Sequence, residues 1–281
     1  MAALFVSTVA AVFGLWMLHR LLCTDLGDAM ADRTLLYVGL APMALFLIAP
    51  YTEALFLALS VAAFLALRSR RLAVAGLLIA AATLTRPQGI LLLLPAAVEV
   101  APPLLAALRQ RHRPPIGVGH LLLGTLPVVV LVAWVAVAAR MAGLTPFAAE
   151  ERGWGGHLAW PWDGLVHGLS NTAIYPGPLI NSAAVLGWMC LLGVLVRYRQ
   201  RVPASYIAYA AVSLLPIVLR EEGFGNPWAS APRFALVVFP LGVAIALLTE
   251  SRPRLHRVAV GLSALLAAAS LVTFTHNQFI A

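Results

Sequence analysis

The 281-residue sequence is 62% hydrophobic and only 11% charged, and its mean hydropathy is +0.91. This composition excludes a water-soluble globular domain and is typical of a polytopic membrane protein. The formal net charge of +8 arises from 19 basic residues that are all arginine, so their positions along the chain are more informative than their sum.

Apolar segments of about 16 to 26 residues recur between short polar breaks, long enough to cross a hydrocarbon core of roughly 30 Å. We predict an all-α membrane protein of about ten transmembrane helices that forms a single domain over residues 1–281. In chain order the predicted spans are Ala3–Leu22, Thr34–Ala49, Thr52–Leu67, Leu72–Thr85, Pro87–Leu108, Ile116–Met141, Pro178–Val196, Ala204–Leu219, Arg233–Thr249 and Val258–Thr275. Leu72–Thr85 is short and needs support from its neighbours.

The arginines predict the orientation of these spans. If the spans alternate, fourteen of the nineteen arginines share one face, which the positive-inside rule makes cytoplasmic. They are Arg20, Arg33, Arg68, Arg70, Arg71, Arg109, Arg111, Arg113, Arg197, Arg199, Arg201, Arg252, Arg254 and Arg257. The opposite face receives Glu53, Arg86, the long loop Ala142–Gly177 and the loop Arg220–Pro232. Topology alone explains each arginine cluster, so no nucleic-acid partner is predicted.

Motifs for metal or nucleotide chemistry are absent from the sequence. Cys23 and Cys190 are the only cysteines, and their spacing indicates neither a disulfide framework nor a metal site. No HxxE, CxxC, GxSxG or Walker-like spacing occurs, so hydrolase, zinc and nucleotide-driven functions have no support. The first apolar stretch lacks the basic start and cleavage site of a secretory signal, and we interpret it as a span.

The long loop Ala142–Gly177 is rich in aromatic residues and turn-forming glycines. Within it, Trp162–Leu169 is predicted to form a short helix in the membrane interface, where Trp and Tyr partition well. Anchoring at the interface is one role for these rings. The other is a lid or wall over a polar substrate, with Asp163 and His157 facing that substrate.

The turn Ala49-Pro50-Tyr51-Thr52-Glu53 ends one predicted helix and begins the next. Glu53 has a structural explanation, because Thr52 is a suitable N-cap and the helix dipole favours a carboxylate in the first turn. It also has a functional one, because ionisable residues at the ends of membrane helices are costly unless they are paired or used. The same cost applies to Glu99, which lies toward the inner half of a span.

Two arginines, Arg86 and Arg233, are predicted on the same face as Glu53. Arg86 ends a helix in Thr85-Arg86-Pro87-Gln88-Gly89, where a cation complements the dipole and Gly89 would let a ligand approach. Arg233 follows Pro232 at a helix start, where the dipole disfavours a cation unless an anion is near. A phosphate would provide that anion, and the rival partners are Glu221 and Glu222.

Three stretches carry a family resemblance: Ala41-Pro42 through Tyr51-Thr52-Glu53-Ala-Leu-Phe-Leu-Ala-Leu-Ser60, Ala82-Thr-Leu-Thr-Arg86-Pro-Gln-Gly89, and Ser230-Ala-Pro-Arg233-Phe with Phe239-Pro240. Together they resemble the PIG-V family of mannosyltransferases, in its bacterial, actinobacterial branch, which belongs to the GT-C superfamily. The resemblance extends over essentially the whole chain. Its motifs are short and are set in Ala/Leu-rich helices, so they are moderately specific.

The resemblance implies transfer of mannose from a polyprenyl-phosphate-mannose donor to a lipid or glycan acceptor on the outer face of a bacterial plasma membrane. It implies inversion at the anomeric carbon and no nucleotide sugar. A general base and a cationic phosphate site are then expected. The catalytic candidates are Glu53 and Asp163, and the substrate-binding candidates are Tyr51, Arg86, Gln88, His157, Trp162 and Arg233, with Arg86 and Arg233 on the donor phosphate. No metal ligand is assigned, and a divalent-metal requirement is left open.

The sequence also departs from the family pattern. Relatives carry a first helix and then an outer loop with a Trp-Asp pair, whereas this chain starts at what resembles the second helix. An N-terminally truncated form, inactive by itself, is therefore one expectation, and Asp163 after Trp162 is a poor substitute for the missing pair. The alternatives are a noncatalytic membrane subunit of a glycosyltransferase complex and a lipid or solute transporter, which would show inverted repeats and broken helices.

Overall fold

The computed structural model describes residues 2–110, 116–170, 177–221 and 228–276, and most of them are helical. The α-helices are α1 (Ala2–Leu26), α2 (Asp28–Gly39), α3 (Glu53–Arg68), α4 (Leu72–Thr85), α5 (Leu93–Arg109), α6 (Val118–Ala142), α7 (Pro146–Trp154), α8 (Pro161–Ser170), α9 (Gly177–Arg197), α10 (Ala204–Val218), α11 (Ala231–Leu236), α12 (Pro240–Thr249) and α13 (Pro253–Thr275). Two 3-10 segments occur at Ala44–Leu47 and Pro87–Leu92, and two short strands are β1 (His157–Leu158) and β2 (Arg220–Glu221).

Five helical segments of the described residues are long and apolar enough to cross a membrane: Ala2–Leu26, Pro87–Arg109, Val118–Ala142, Gly177–Arg197 and Pro253–Thr275. Three shorter apolar helices, α4, α10 and α12, accompany them. The predicted class, a helical membrane protein, is confirmed at this level. The count of about ten spans and the GT-C architecture stay predictions.

Two of the predicted spans are interrupted. The segment predicted over Thr34–Ala49 divides into α2, which ends at Gly39, and the 3-10 segment Ala44–Leu47. Pro42 explains this break, because it has no amide proton to donate and it disfavours helical geometry at the preceding residue. Likewise, the segment predicted over Arg233–Thr249 divides into α11 and α12, and Pro240 begins the second helix.

Small residues allow close approach of the apolar helices. A methyl group placed on Gly14 of α1 would lie 3.2 Å from the Ala58 Cα of α3. One placed on Gly76 of α4 would lie 2.8 Å from the Leu122 carbonyl oxygen of α6. Helices in lipid gain little from the hydrophobic effect against each other, so this backbone contact is a main source of their association.

An aromatic cluster fills the centre of the bundle. Phe64, Tyr206, Tyr209 and Phe239 are at most 1% exposed, and their ring centroids lie 4.9 to 5.8 Å apart in edge-on or tilted pairs. The Tyr209 hydroxyl donates to the Val237 carbonyl oxygen at 3.1 Å, which gives its buried polar atom a partner. This cluster joins α3, α10 and the start of α12.

The two ends of the bundle differ in charge. At one end arginines meet carboxylates: Arg68 binds Asp25 at 2.8 Å and Glu99 at 2.5 Å, and Arg201 binds Glu250 through two contacts of 2.8 and 2.9 Å. We call this the arginine-rich end. Since α3 runs from Glu53 to Arg68, Glu53 lies at the opposite end.

The long loop contains the short helix α8 and the strand β1. Its short helix, predicted over Trp162–Leu169, is present as α8, although its position in a membrane interface stays a prediction. Strand β1 pairs antiparallel with β2, with His157 opposite Glu221 and Leu158 opposite Arg220. Asn171 and Tyr175, which belong to the same loop, lie outside the described residues.

Candidate functional site

Glu53 is the first residue of α3 and its side chain is fully buried. Its position follows from the preceding turn, where the predicted N-cap Thr52 flanks the helix. The expected cap hydrogen bond is absent: the Thr52 side chain accepts no bond from the helix. That part of the prediction was wrong, because Thr52 has helical rather than extended backbone angles, φ −90° and ψ −4°.

Arg86 supplies the first partner of Glu53. It lies between α4 and the 3-10 segment in an extended conformation, φ −150° and ψ 132°, as expected for a residue that precedes proline. This geometry ends α4 and turns the side chain to the start of α3. The Arg86 Nη2 then donates to Glu53 Oε1 at 2.6 Å, a short charge-assisted hydrogen bond.

Arg233 approaches the same carboxylate oxygen from α11. Its Nε lies 3.1 Å from Glu53 Oε1, yet this N–H is not aimed at the oxygen and makes no hydrogen bond among the described residues. Two non-glycine residues just before it, Trp228 and Ser230, have left-handed backbones with φ of 56° and 65°. Such conformations are costly for residues with a Cβ, and they set the entry of the chain into α11.

Aromatic rings surround the two guanidinium groups. The Arg233 guanidinium carbon lies 5.4 Å from the ring centroid of Phe46, 5.6 Å from that of Tyr51 and 5.5 Å from that of Phe234. Arg86 lies 5.2 Å from the same Phe234 ring. Cation–π attraction is strongest where water is excluded. Of these rings only Tyr51 was predicted as a site residue; Phe46 and Phe234 lie within stretches that carry the family resemblance, but neither was assigned a role.

The Glu53 site, formed by Glu53, Arg86, Arg233 and these rings, contains one more positive than negative side chain. Glu53 Oε2 and Arg233 Nε are both buried and have no hydrogen-bond partner among the described residues. Leaving a buried polar atom unpaired costs about 1 to 3 kcal/mol, more for charged groups. An anionic group that also carries a hydroxyl would satisfy both atoms.

The sequence also predicted the partners of Arg233 and the roles of Gly89 and Gln88. Among the described residues the partner of Arg233 is Glu53; the two expected rivals are untested, because Glu222 and the side chain of Glu221 lie outside the described part of the chain. Gly89 does not leave room for a ligand: a methyl group there would collide with the Thr83 backbone nitrogen and lie 2.6 Å from the Thr83 Cα. Gln88 is exposed beside this turn, and its predicted substrate contact is untested.

Asp163, His157 and Trp162 belong to the α8 region. Asp163 Oδ2 accepts from the Trp160 backbone N–H at 3.2 Å, so this carboxylate reaches back to the residue before α8, as the third residue does in a capping box. Trp162 stacks on Trp160 with ring centroids 5.0 Å apart and an interplanar angle of 5°. His157 lies on β1. Their proposed role around a sugar remains a prediction.

An apolar groove of about 230 Å³ runs between α2, α9, α11 and α12. Its lining includes Met43, Trp188, Leu191, Leu236 and Pro232. Pro232 directly precedes Arg233 in the chain, but the Arg233 side chain and the other members of the Glu53 site do not line the groove.

The described residues contain no grouping of three or more His, Cys, Asp or Glu side chains that could hold a metal ion. The chain matches no family model, no curated protein and no solved structure. Its function is therefore inferred from the geometry of the Glu53 site and the sequence resemblance alone.

Proposed function

We propose that the protein is a membrane glycosyltransferase that transfers mannose from a polyprenyl-phosphate-mannose donor to an acceptor hydroxyl at the outer face of the membrane. The observation that supports this most is the buried Glu53 site, where two guanidinium groups share one carboxylate. The sugar identity, the donor and the orientation depend on the resemblance to the PIG-V family.

In the proposed reaction, the acceptor oxygen forms a bond to the anomeric carbon while the bond from that carbon to the phosphate oxygen breaks. The hydroxyl proton passes to the Glu53 carboxylate, whose Oε2 has no partner among the described residues, and this is the role of a general base. The polyprenyl phosphate departs with the negative charge, which Arg86 and Arg233 stabilise. A phosphate bound to these arginines also competes with Glu53 for their N–H groups and leaves its carboxylate free to accept the hydroxyl proton.

The remaining proposed contacts follow the same chemistry. The Tyr51 ring lies 5.6 Å from the Arg233 guanidinium carbon and would stabilise its charge by a cation–π contact. Asp163, His157, Trp162 and Gln88 would contact the sugar or the acceptor from the loops at this end.

A lipid or solute transporter is the second candidate function. The interrupted segments α2 with Ala44–Leu47 and α11 with α12 favour it, because broken apolar helices commonly form the substrate sites of transporters. Both interruptions lie close to the Glu53 site, since Phe46 and Phe234 contact Arg233. Movement of the donor without transfer of the sugar would distinguish this function from the enzyme.

The test is mannose transfer in membranes that contain this chain, with and without any upstream extension of its reading frame. Membranes receive radiolabelled polyprenyl-phosphate-mannose and a panel of lipid and glycan acceptors, and empty membranes serve as the control. Arg233→Gln is expected to lower transfer by about 10²- to 10³-fold, the usual effect of removing one charge-stabilising donor. Arg199→Gln, an exposed arginine in a turn at the arginine-rich end, is the matched control and should leave transfer unchanged.

Two outcomes would overturn the proposal. One is transfer by Arg233→Gln at the rate of the Arg199→Gln control. The other is no transfer above empty membranes by either form of the chain with any acceptor.

A further inference from the structure

A second cavity lies at the arginine-rich end, far from the Glu53 site along α3. Its volume is about 430 Å³, and its walls are the last turns of α1 and α3. This volume falls within the range of small-molecule sites, about 300 to 1,000 Å³. The polar lining consists of Arg20, Thr24, Arg68 and Ser69.

The two arginines that line this cavity differ in whether they already have carboxylate partners. Arg68 is occupied: it binds Asp25 through two nitrogens and Glu99 through a third. It also lies 5.6 Å from the Tyr206 ring centroid. Arg68 and its two carboxylates therefore form a floor with no free positive charge, and this floor joins α1, α3, α5 and α10. A ligand of this cavity has to be bound by other groups.

Arg20 is the free cation of the cavity. It is exposed and lies 5.2 Å from the ring centroid of Trp16, and within the described residues its guanidinium group contacts no carboxylate. Two more exposed arginines, Arg70 and Arg71, follow Ser69 directly in the chain, although they do not line the cavity. Three exposed arginines therefore belong to this region, where the floor contains one arginine and two carboxylates.

The other side of the cavity is apolar and continues along α1. Phe5, Val9, Val12 and Trp16 are 70%, 37%, 63% and 53% exposed, and their spacing puts them on one face of the helix. This strip starts at the cavity, where Trp16 belongs to both, and runs away from the arginine-rich end. A ligand that fills the cavity can thus extend an apolar chain along α1.

We propose that this cavity binds an anionic phospholipid. Its phosphodiester group pairs with Arg20, the hydroxyl group of Ser69 lies within the same cavity to bind the headgroup, and one acyl chain lies along Trp16 and the apolar face of α1. The Thr24 hydroxyl already donates to the Arg20 carbonyl oxygen at 3.0 Å. A free arginine beside a continuous apolar strip matches an amphiphilic anion better than a free one. This site is independent of the glycosyltransferase proposal.

The experiment is native mass spectrometry of the purified chain in non-ionic detergent, titrated with dioleoyl phosphatidylglycerol or dioleoyl phosphatidylcholine. We expect the first phosphatidylglycerol to bind more tightly than phosphatidylcholine. Arg20→Gln should weaken phosphatidylglycerol binding about fivefold, the usual contribution of one basic residue to an anionic lipid. Ser69→Phe, which fills the cavity, should also weaken it. Arg254→Gln, an exposed arginine of α13 at the same end, is the matched control and should bind as the unmodified chain does.

Three results would overturn the proposal. Equal binding of phosphatidylglycerol to Arg20→Gln and Arg254→Gln would mean that the lipid binds elsewhere. Equal affinity of the unmodified chain for the two lipids would indicate nonspecific contact. Displacement of phosphatidylglycerol by low concentrations of inorganic phosphate would assign the cavity to a free anion and not to a lipid.

Discussion

Two carboxylates of this protein illustrate how environment changes the contribution of a single residue. Glu53 is fully buried and lies between two guanidinium groups, whereas the Glu250 side chain is 40% exposed and pairs with Arg201 alone. Removing one partner of a buried charge cluster leaves uncompensated charge. Exposed ion pairs, in contrast, are weakened by water and salt.

Glu53→Gln and Glu250→Gln therefore form a matched pair for thermal unfolding in detergent. Among the described residues, Glu53 is the only carboxylate that pairs with Arg86 and Arg233. We therefore expect Glu53→Gln to lower the free energy of unfolding by about 3 to 5 kcal/mol. Glu250→Gln should lower it by less than about 1 kcal/mol. Equal destabilisation by the two variants would contradict the assignment of Glu53 as a buried counterion.

The pairing of Glu250 with Arg201 should make the stability of the protein depend on pH. The Arg201 hydrogen bonds lower the pKa of this carboxyl below its ordinary value. A group whose pKa is lower in the folded state stabilises it above the unfolded pKa, and loses that effect as the pH falls through the folded pKa. The difference in unfolding temperature between the unmodified chain and Glu250→Gln should thus be present at pH 7 and close below about pH 4. A difference that is constant from pH 7 to pH 3 would contradict this.

At the scale of elements, one close approach determines where Arg86 lies. Gly89 packs against the backbone of α4 at Ala82 and Thr83, so the chain after Pro87 folds back onto the helix that it has just left. The backbone N–H of Gly89 donates to the Arg86 carbonyl oxygen at 2.8 Å, which closes the turn. This glycine serves the fold of the site rather than access to it.

Gly89→Ala is expected to lower the free energy of unfolding by about 1 to 3 kcal/mol, because its methyl group would meet backbone atoms that have little room to move. Gly124→Ala in α6 is the control: a methyl group there meets nothing within 4 Å, and alanine favours the helix. Thermal unfolding of the two variants in the same detergent tests this. Similar loss of stability in both would mean that the close packing of Gly89 is not needed.

At the scale of the whole molecule, the contacts divide the chain into two ends, and their sidedness can be measured. The arginine-rich end should face the cytoplasm. In a chain with Cys23 and Cys190 replaced by serine, a cysteine at the exposed position Ala149 should react with a membrane-impermeant maleimide in intact cells. One at the exposed position Ser251 should react only after permeabilisation. The reverse pattern would overturn the orientation and, with it, the outer-face location of the Glu53 site.

Hydropathy and arginine positions in the sequence were sufficient to predict a helical membrane protein, and alternation of the spans was sufficient to put Glu53 and Arg86 at one end. These inferences are local, since segment length and charge are properties of neighbouring residues. The interruptions at Pro42 and Pro240 were missed, although proline is a local signal, because apolar composition continues through both.

Only the tertiary structure decided which charges meet. Glu53 and Arg86 are 33 positions apart in the chain, and Arg233 had closer acidic residues in Glu221 and Glu222, so sequence proximity favoured a different partner. The same holds for Glu99, an acid within a predicted span, whose partner is Arg68. Pairing across helices depends on helix packing, which here follows from backbone approach at Gly14 and Gly76. Hydropathy contains no information about those contacts.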